Sequence, residues 1–300
     1  MDKIIKVNSQ QLELTNLQKI YWPKENYTKG ELLEYYHTVS KFILPYIKNR
    51  PHSLNRHPNG IKGQSFYQKD VKDKVAPWIT TAEVYSESND ANINYFVCTN
   101  EASLLYMVNL GCIEINPWFS TTKHINNPDF MAIDLDPEDI PFKKVIETAW
   151  AVKEVLDKAK ATAFCKTSGA TGIHIYIPLN SKYDFEISRE FAHVIAEMTN
   201  NIVPSFTSLE RSPSKRKRKV YIDYLQNRTG QTLAAPYSVR PRPGVPVSTP
   251  LEWKELKTIE SPEQFNVKTI QARLKKKGDI FTGVLEKGVD IEKCLKNLGA

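Results

Sequence analysis

The sequence predicts an α+β fold built on a split βαβ unit. From residue 130 onward, strand-like and helix-like segments follow one another in the order β-α-β-β-α-β. The strand-like segments alternate aliphatic with polar residues, as a sheet covered on one side requires. The two helix-like segments carry apolar residues at helical spacing. Four strands backed by two helices leave the opposite face of the sheet free for a ligand.

Upstream of that unit, Thr28 reads as an N-cap. Glu31 completes a capping box, and Leu32, Leu33, Tyr36 and Val39 form the buried face of a helix running to Ile47. Residues 51–82 are rich in Pro, Gly, His and Lys and predict loops with short strands. Tyr95 to Cys98 predicts a buried strand, Ala102 to Leu110 a short helix closed by Gly111, and Cys112 to Ile115 another strand. Within the split unit, Phe130 to Asp136 is a strand ended by Pro137. Pro141 to Lys160 is a helix with Val145, Ile146, Ala149, Val152 and Leu156 on one face. Thr162 to Lys166 and Ile173 to Ile177 are strands joined by a tight turn, Ser168 to Gly172. Ser188 to Ile202 is the second helix and Val220 to Leu225 the last strand.

The 300 residues carry 41 Lys and Arg against 34 Asp and Glu, a net charge of +7. Five cations are consecutive, Lys215-Arg216-Lys217-Arg218-Lys219, directly before the apolar Val220-Tyr221-Ile222. A basic run anchored beside a strand suits a polyanion, because neutralising phosphates releases condensed counterions; a solvated loop has the same composition. No amphipathic helix accompanies the run, which favours nucleic acid over a membrane surface. No apolar run approaches the ~18 residues that span a bilayer. The N-terminal MDKIIKVNSQ lacks the apolar core of a secretory signal. Four scattered cysteines with no C-x-x-C exclude a zinc ribbon and predict reduced thiols in a cytoplasmic protein. The Asn-x-Thr sequons at Asn26 and Asn227 are then accidental.

Side chains alternate along a strand, so Asp134 and Asp136 share one face. His174 and Tyr176 lie opposite Ile173, Ile175 and Ile177, and Asp223 alternates with Ile222 and Tyr224. If the aliphatic sets pack on the helices, Asp134, Asp136, His174 and Asp223 converge on the uncovered side. Crowded carboxylates repel one another unless a hard divalent cation, Mg²⁺ or Mn²⁺, sits among them. A pair of such ions ~4 Å apart supports phosphoryl transfer; the pattern does not separate transfer to a hydroxyl from hydrolysis. In the turn Ser168-Gly169-Ala170-Thr171-Gly172, two glycines expose backbone N–H groups and two hydroxyls add donors for phosphate, with His174 two residues on. A plain hairpin turn needing positive φ reads the same way. Arg240 and Arg242 sit in SVRPRPG, where prolines hold two guanidiniums near one another, suited to triphosphate oxygens or to a solvated loop.

With these residues assembled, the chain resembles the polymerase domain of bacterial ligase D, a branch of the archaeo-eukaryotic primase superfamily that acts in non-homologous end joining. The resemblance runs from about Leu14 to Trp253. It rests on LTNLQKIYWP, RHPNGIKGQSFYQK, IEINPW, FMAIDLDP, SGATGIHIYIP, VYIDYLQN and SVRPRPG, in that order. It implies a primase-polymerase fold with mixed and antiparallel sheets in one domain. An N-terminal α/β lobe would cover about residues 1–127, a palm-like lobe akin to the RNA-recognition fold about 128–245, and a C-terminal extension about 246–300.

The resemblance also implies roles. Asp134, Asp136 and Asp223 match the catalytic carboxylates that bind two Mn²⁺ or Mg²⁺ ions. Ser168, Gly169, Gly172 and His174 match the nucleotide-phosphate motif; Gln226, Arg240 and Arg242 match further nucleotide contacts, and Arg56 a basic residue near the incoming nucleotide. Lys19 and Lys29 match the pair that holds the 5′-phosphate of the downstream strand at a gap. Phe66 and Tyr67 match the aromatic pair on the template, where stacking is sequence-tolerant. By pattern alone, Phe66 and Tyr67 read as core residues and Lys19 and Lys29 as surface charge. Three positions depart from the family: Asn116, where relatives commonly carry His; Thr171, where some carry Lys; and Asn55, in place of a frequent basic residue before Arg56.

The implied activity is template-directed addition of NTPs or dNTPs, with ribonucleotides preferred and Mn²⁺ stimulating, to a primer 3′-OH. The implied DNA has gaps, overhangs or double-strand-break ends bearing a 5′-phosphate. Expected partners are an end-binding Ku-type protein and a separate DNA ligase, because the chain has no K-x-D-G ligase motif. The expected location is cytoplasmic, at the nucleoid, with no membrane partner. The alternatives are a primase that starts strands from two nucleotides, a metal-dependent nuclease, and a non-catalytic RNA-recognition module. The last reads bases with sheet aromatics, where this sheet carries carboxylates.

Overall fold

In the computed structural model, which describes residues 2–86 and 90–300, the N-terminal lobe opens with strands β1 (Lys3–Val7), β2 (Gln10–Leu14), β3 (Ile20–Trp22) and β4 (Tyr27–Thr28). Helix α1 (Lys29–Ile47) follows, then β5 (Arg50–His52), β6 (Leu54–Arg56), β7 (Phe66–Gln68), β8 (Thr81–Ser86), β9 (Ala91–Cys98), α2 (Glu101–Asn109) and β10 (Cys112–Glu114). The palm comprises β11 (Phe130–Pro137), α3 (Phe142–Ala159), β12 (Phe164–Thr167), β13 (Ile173–Pro178), α4 (Phe185–Ile202), β14 (Thr207–Ser208), α5 (Pro213–Arg216) and β15 (Val220–Asp223). The chain ends with β16 (Pro250–Leu251), α6 (Ile270–Lys277) and α7 (Ile291–Leu298).

The predicted βαββαβ unit is present as the antiparallel order β15-β11-β13-β12. β14 adds in parallel beyond β15, and β16 adds antiparallel beyond β12, so the sheet has six strands. The capping box at α1 forms as expected: the Glu31 N–H donates to Thr28 Oγ1, and Glu31 accepts from the Thr28 backbone. α4 begins three residues before the expected Ser188 because Asp184 caps it, accepting from the Ile187 N–H at 2.8 Å. The last strand stops at Asp223 and not Leu225, since Asp223 Oδ1 draws the Leu225 N–H into a turn at 2.8 Å.

Ile133, Leu135, Ile173, Ile175 and Ile222 form one face of the sheet and pack on α3 and α4, with α7 against α3. The opposite face is not left free along its whole length, as the topology alone suggested. Phe130, Ala132 and Tyr176 on that face are buried in the core of the N-terminal lobe. Ring centroids lie 5.2 Å apart for Phe119–Phe130, 5.0 Å for Phe130–Tyr176 and 5.4 Å for Tyr176–Phe281. Only the end of the face carrying Asp134 and Asp136 stays open.

Asn227 is buried and pins the segment after β15 to β11. It accepts from the Ala132 N–H and donates to the Ala132 carbonyl, at 2.8 and 2.7 Å. Its amide is thus committed inside the fold, consistent with an accidental sequon. Residues beyond 246 do more than trail from the palm: β16 completes the sheet, and Asp279 accepts from Tyr46 Oη and Tyr237 Oη at 2.7 and 2.6 Å. Among the described residues, no helix is long and apolar enough to cross a membrane.

Candidate active site

Strand register builds the site. Asp134 stands opposite Asp223 on β15 and His174 on β13, and His174 stands opposite Lys166 on β12. Directly opposed side chains share a face, so these four form one row across the sheet. Asp136 lies two residues along β11 on the same side.

Asp134 is 17% exposed. Burial, then the charges of Asp223 and Asp136, push its carboxyl up to about 8. Burial also raises Asp136, opposed chiefly by Arg216, whose Nη1 lies 3.8 Å from Asp136 Oδ2. Asp223 accepts from the Leu225 N–H at 2.8 Å, Gln226 Nε2 at 2.9 Å and Tyr221 Oη at 3.2 Å. In this side-chain arrangement no three His, Cys, Asp or Glu among the described residues are gathered tightly enough to hold an ion between them. The donor set nonetheless suits one: three oxygen ligands on one face, with Asp134 and Asp136 disfavoured as anions until positive charge arrives.

Beside them, His174 Nε2 lies 3.4 Å from Asp134 Oδ1, and its Nδ1 lies 2.9 Å from Lys166 Nζ. Burial, then Lys166 and Arg240, hold the imidazole well below its usual pKa, so it is neutral. Lys166 is wholly buried, and burial followed by Arg240 holds its ammonium pKa well down. Sequence reasoning passed over Lys166, although its position in β12 puts it on the face of His174.

The turn before β13 is organised by Ser168. Its Oγ accepts the N–H groups of Ala170 and Gly172 at 3.0 and 2.9 Å, and its own N–H donates to the Gly172 carbonyl at 2.9 Å. The Gly172 N–H, expected to face a phosphate, is therefore spent inside the turn. Gly169 has φ +73°, and a Cβ there would lie 2.7 Å from the Ser248 backbone nitrogen; a Cβ at Gly172 would lie 2.1 Å from the Leu135 carbonyl oxygen. The glycines thus serve close packing. Thr171 Oγ1 reaches Asp136 Oδ1 at 3.5 Å.

Arg240 donates through Nε to Glu114 Oε2 at 2.7 Å and through Nη1 to the Ser168 carbonyl at 2.6 Å. Arg242 is held by its carbonyl, which accepts from Trp22 Nε1 at 2.7 Å. Together with Tyr67, Asn116, Asp134, Asp136, Thr171 and His174, these residues line an open cleft of about 270 Å³. Asn116 is buried, and its Nδ2 has no hydrogen-bond partner among the described residues.

Of the remaining expected residues, only Tyr67 lines this cleft. Gln226 meets Asp223 and does not line the cleft. Arg56 donates to the Leu110 carbonyl and to Gln68, both at 2.9 Å, and lies over the Phe66 ring. Asn55, buried, pairs with Tyr67 across β6 and β7. Phe66 and Tyr67 are 45% and 64% exposed, against the core position that pattern alone gives them. Lys29 is only 3% exposed, against the surface position expected, and its Nζ donates to the Thr15 carbonyl at 2.7 Å. Burial and then Lys19 bring its pKa down to about 8. Lys19 Nζ donates to Asn59 Oδ1 at 2.6 Å, and the Lys19 carbonyl accepts the Lys29 N–H, which keeps the two cations together. In the basic run, Lys215, Lys217 and Arg218 are exposed, but Arg216 is buried over the Tyr221 ring at 3.7 Å.

This arrangement has close counterparts. A family model described as "LigD, primase-polymerase domain" matches residues 28–281. The chain is 34% identical over 272 residues to the bifunctional non-homologous end joining protein LigD of Bacillus subtilis, covering 90% of this chain and 43% of that protein. It is 30% identical over 264 residues to the multifunctional non-homologous end joining protein LigD of Pseudomonas aeruginosa, covering 88% and 31%. The chain thus spans less than half the length of these relatives. It superposes on the polymerase domain from Mycobacterium tuberculosis ligase D, solved in complex with DNA, with a TM-score of 0.85 and 25% identity over 93% of this chain and 100% of that one. The chain therefore belongs to the LigD primase-polymerase domain family.

Proposed function

We propose that this chain extends a primer 3′-OH on a template, with NTPs or dNTPs, at the gaps, overhangs and 5′-phosphorylated break ends met in end joining. The observation that carries this reading is the placement of Asp134, Asp136 and Asp223 on one sheet face, beside the Ser168 turn and Arg240.

The family is metal-dependent. Asp134, Asp136 and Asp223 are the residues that would hold two Mn²⁺ or Mg²⁺ ions, which when bound lower the pKa of the 3′-OH and neutralise charge on the departing pyrophosphate. The 3′-oxygen forms a bond to the α-phosphorus as the α–β phosphoanhydride bond breaks and pyrophosphate leaves. The chain's own part is positioning. His174, Arg240 and Arg242 face the triphosphate, Glu114 and Ser168 fix the Arg240 guanidinium, and Gln226 orients Asp223. Asn116 offers a neutral amide donor where relatives commonly have imidazole. Arg56 backs the incoming nucleotide, Phe66 and Tyr67 stack on template bases, and Lys19 with Lys29 grips the downstream 5′-phosphate. A Ku-type end binder and a DNA ligase activity lying outside these residues complete the pathway in the cytoplasm, at the nucleoid.

The deciding experiment is extension of a gapped, 5′-phosphorylated primer-template by Asp134→Ala/Asp136→Ala beside the wild type. Loss of extension with a retained unfolding transition supports the assignment; extension by the double variant refutes it. Strand shortening by the wild type without pyrophosphate release would identify a nuclease instead.

A further inference from the structure

We infer that Trp22 and Glu25 are positioning residues for Arg242: from the β3–β4 hairpin they hold residues 242–244 by the backbone, so that an unpaired guanidinium stands at the nucleotide cleft. The inference rests on the polymerase reading for the identity of the phosphates that Arg242 meets, but not for the way the segment is held.

The two arginines of the cleft are fixed differently. Arg240 is anchored by its own side chain, which spends Nε on Glu114 and Nη1 on the Ser168 carbonyl. Arg242 is exposed and lines the cleft, and among the described residues its guanidinium has no hydrogen bond or ion pair. Its whole fork of N–H donors is therefore open to phosphate oxygens. Where such a side chain can reach is set by where its backbone stands.

That backbone is strained. Gly244 and Val245 both take positive φ, +84° and +51°. A β-branched residue rarely adopts this region and persists there when its surroundings hold it. Three contacts do so. Trp22 Nε1 donates to the Arg242 carbonyl at 2.7 Å, Glu25 Oε1 accepts the Gly244 N–H at 2.6 Å, and the Val245 carbonyl accepts the Val267 N–H at 3.2 Å. The first two reach across 220 and 219 residues of sequence from one hairpin. Trp22 is wholly buried and packs edge-on against Tyr27, with ring centroids 5.5 Å apart, so its N–H is a fixed donor. Neither Trp22 nor Glu25 lines the cleft, so both act through Arg242.

The test is a double-variant cycle on the full chain, reading the dissociation constant of ATP by calorimetry with Mg²⁺ and no DNA. Trp22→Phe keeps a ring in the pocket and removes the N–H; Arg242→Ala removes the guanidinium. Arg242→Ala should raise the constant about tenfold, the loss of bonds between a charged donor and phosphate, and Trp22→Phe should raise it by a part of that. The double variant should match Arg242→Ala, because the tryptophan has nothing left to position. A Trp22→Phe effect of equal size in both backgrounds would reduce Trp22 to a structural role and overturn the inference. An unchanged constant in either single variant would overturn it too. Should Trp22→Phe not fold, Glu25→Ala enters the same cycle. It should weaken ATP binding only where Arg242 is present, and Glu25→Gln, which keeps the acceptor, should restore it. Tighter ATP binding by Glu25→Ala, from the lost negative charge, would overturn the inference. The expected cycle in a chain that does not extend primers would sink the polymerase reading and leave this one standing; an additive cycle in a chain that does extend them would do the reverse.

Discussion

Glu114 and Arg240 form an ion pair 2.7 Å long that joins β10 of the N-terminal lobe to the loop following β15, in the wall of the cleft. The same guanidinium donates to the Ser168 carbonyl. Removing one member of a desolvated pair leaves the other uncompensated. Glu114→Ala should therefore lose about 3 kcal/mol of stability in urea unfolding, and its KM for nucleotide should rise more than its kcat falls. An unfolding midpoint equal to that of wild type would show that the pair holds nothing.

Asp134 gives the fold a pH dependence of opposite sign to that of an ordinary salt-bridged carboxylate. Its carboxyl titrates near 8 in the folded, ion-free chain against about 3.8 unfolded. Between these values the folded state keeps a proton that the unfolded state has lost, so this residue's contribution makes stability fall as pH rises from about 4 to 8. Asp134→Asn should flatten that slope and melt higher than wild type at pH 7. By the same linkage, Mn²⁺ binding should release a proton below pH 8 and tighten as pH rises, which calorimetry in buffers of different ionisation enthalpy would measure.

Lys29, with its pKa brought down to about 8, should make recognition of a downstream 5′-phosphate pH-sensitive. The ammonium is present below that value and lost above it, so the affinity advantage of a phosphorylated over an unphosphorylated gap should shrink between pH 7 and 9.5. Lys29→Met should abolish both the advantage and its pH dependence. An advantage that stays constant over this range would remove Lys29 from the phosphate site.

Phe66 and Tyr67 stand exposed at the end of β7, so truncating them should leave stability within about 0.5 kcal/mol of wild type. Template binding should weaken by about 1–3 kcal/mol per ring, irrespective of base. Fluorescence anisotropy with homopolymeric templates separates this from a sequence-reading role.

Gly172→Ala would bring a methyl group within 2.1 Å of the Leu135 carbonyl oxygen, on the strand between Asp134 and Asp136. β11 must shift to admit it, at a cost of about 1–3 kcal/mol. Extension should fall much further than stability, because the displaced strand carries two of the three carboxylates. Equal losses in the two measurements would argue that the turn is only structural.

What could be read from the sequence was local and periodic. Thr28 and Glu31 marked the start of α1, and strand alternation put Asp134, Asp136 and His174 on one face before any strand pairing was known. Register supplied the rest. Lys166 is only the end of a strand in the sequence until β12 is laid beside β13, which brings it opposite His174. Lys29 reads the same way until the Thr15 carbonyl is seen to cap its amine. Phe66 and Tyr67 read as core because pattern reports hydrophobicity and not which edge of a sheet is left uncovered. The burial of Phe130 and Tyr176 under the other lobe depends on tertiary packing that no periodicity encodes.

Phe130 and Tyr176 belong at once to the catalytic sheet and to the aromatic seam beneath the N-terminal lobe. A molecule stitched in this way has no jaws: prising the lobes apart would strip two interior rings bare. The trough is thus held in shape from beneath by rings that belong to both halves of the molecule.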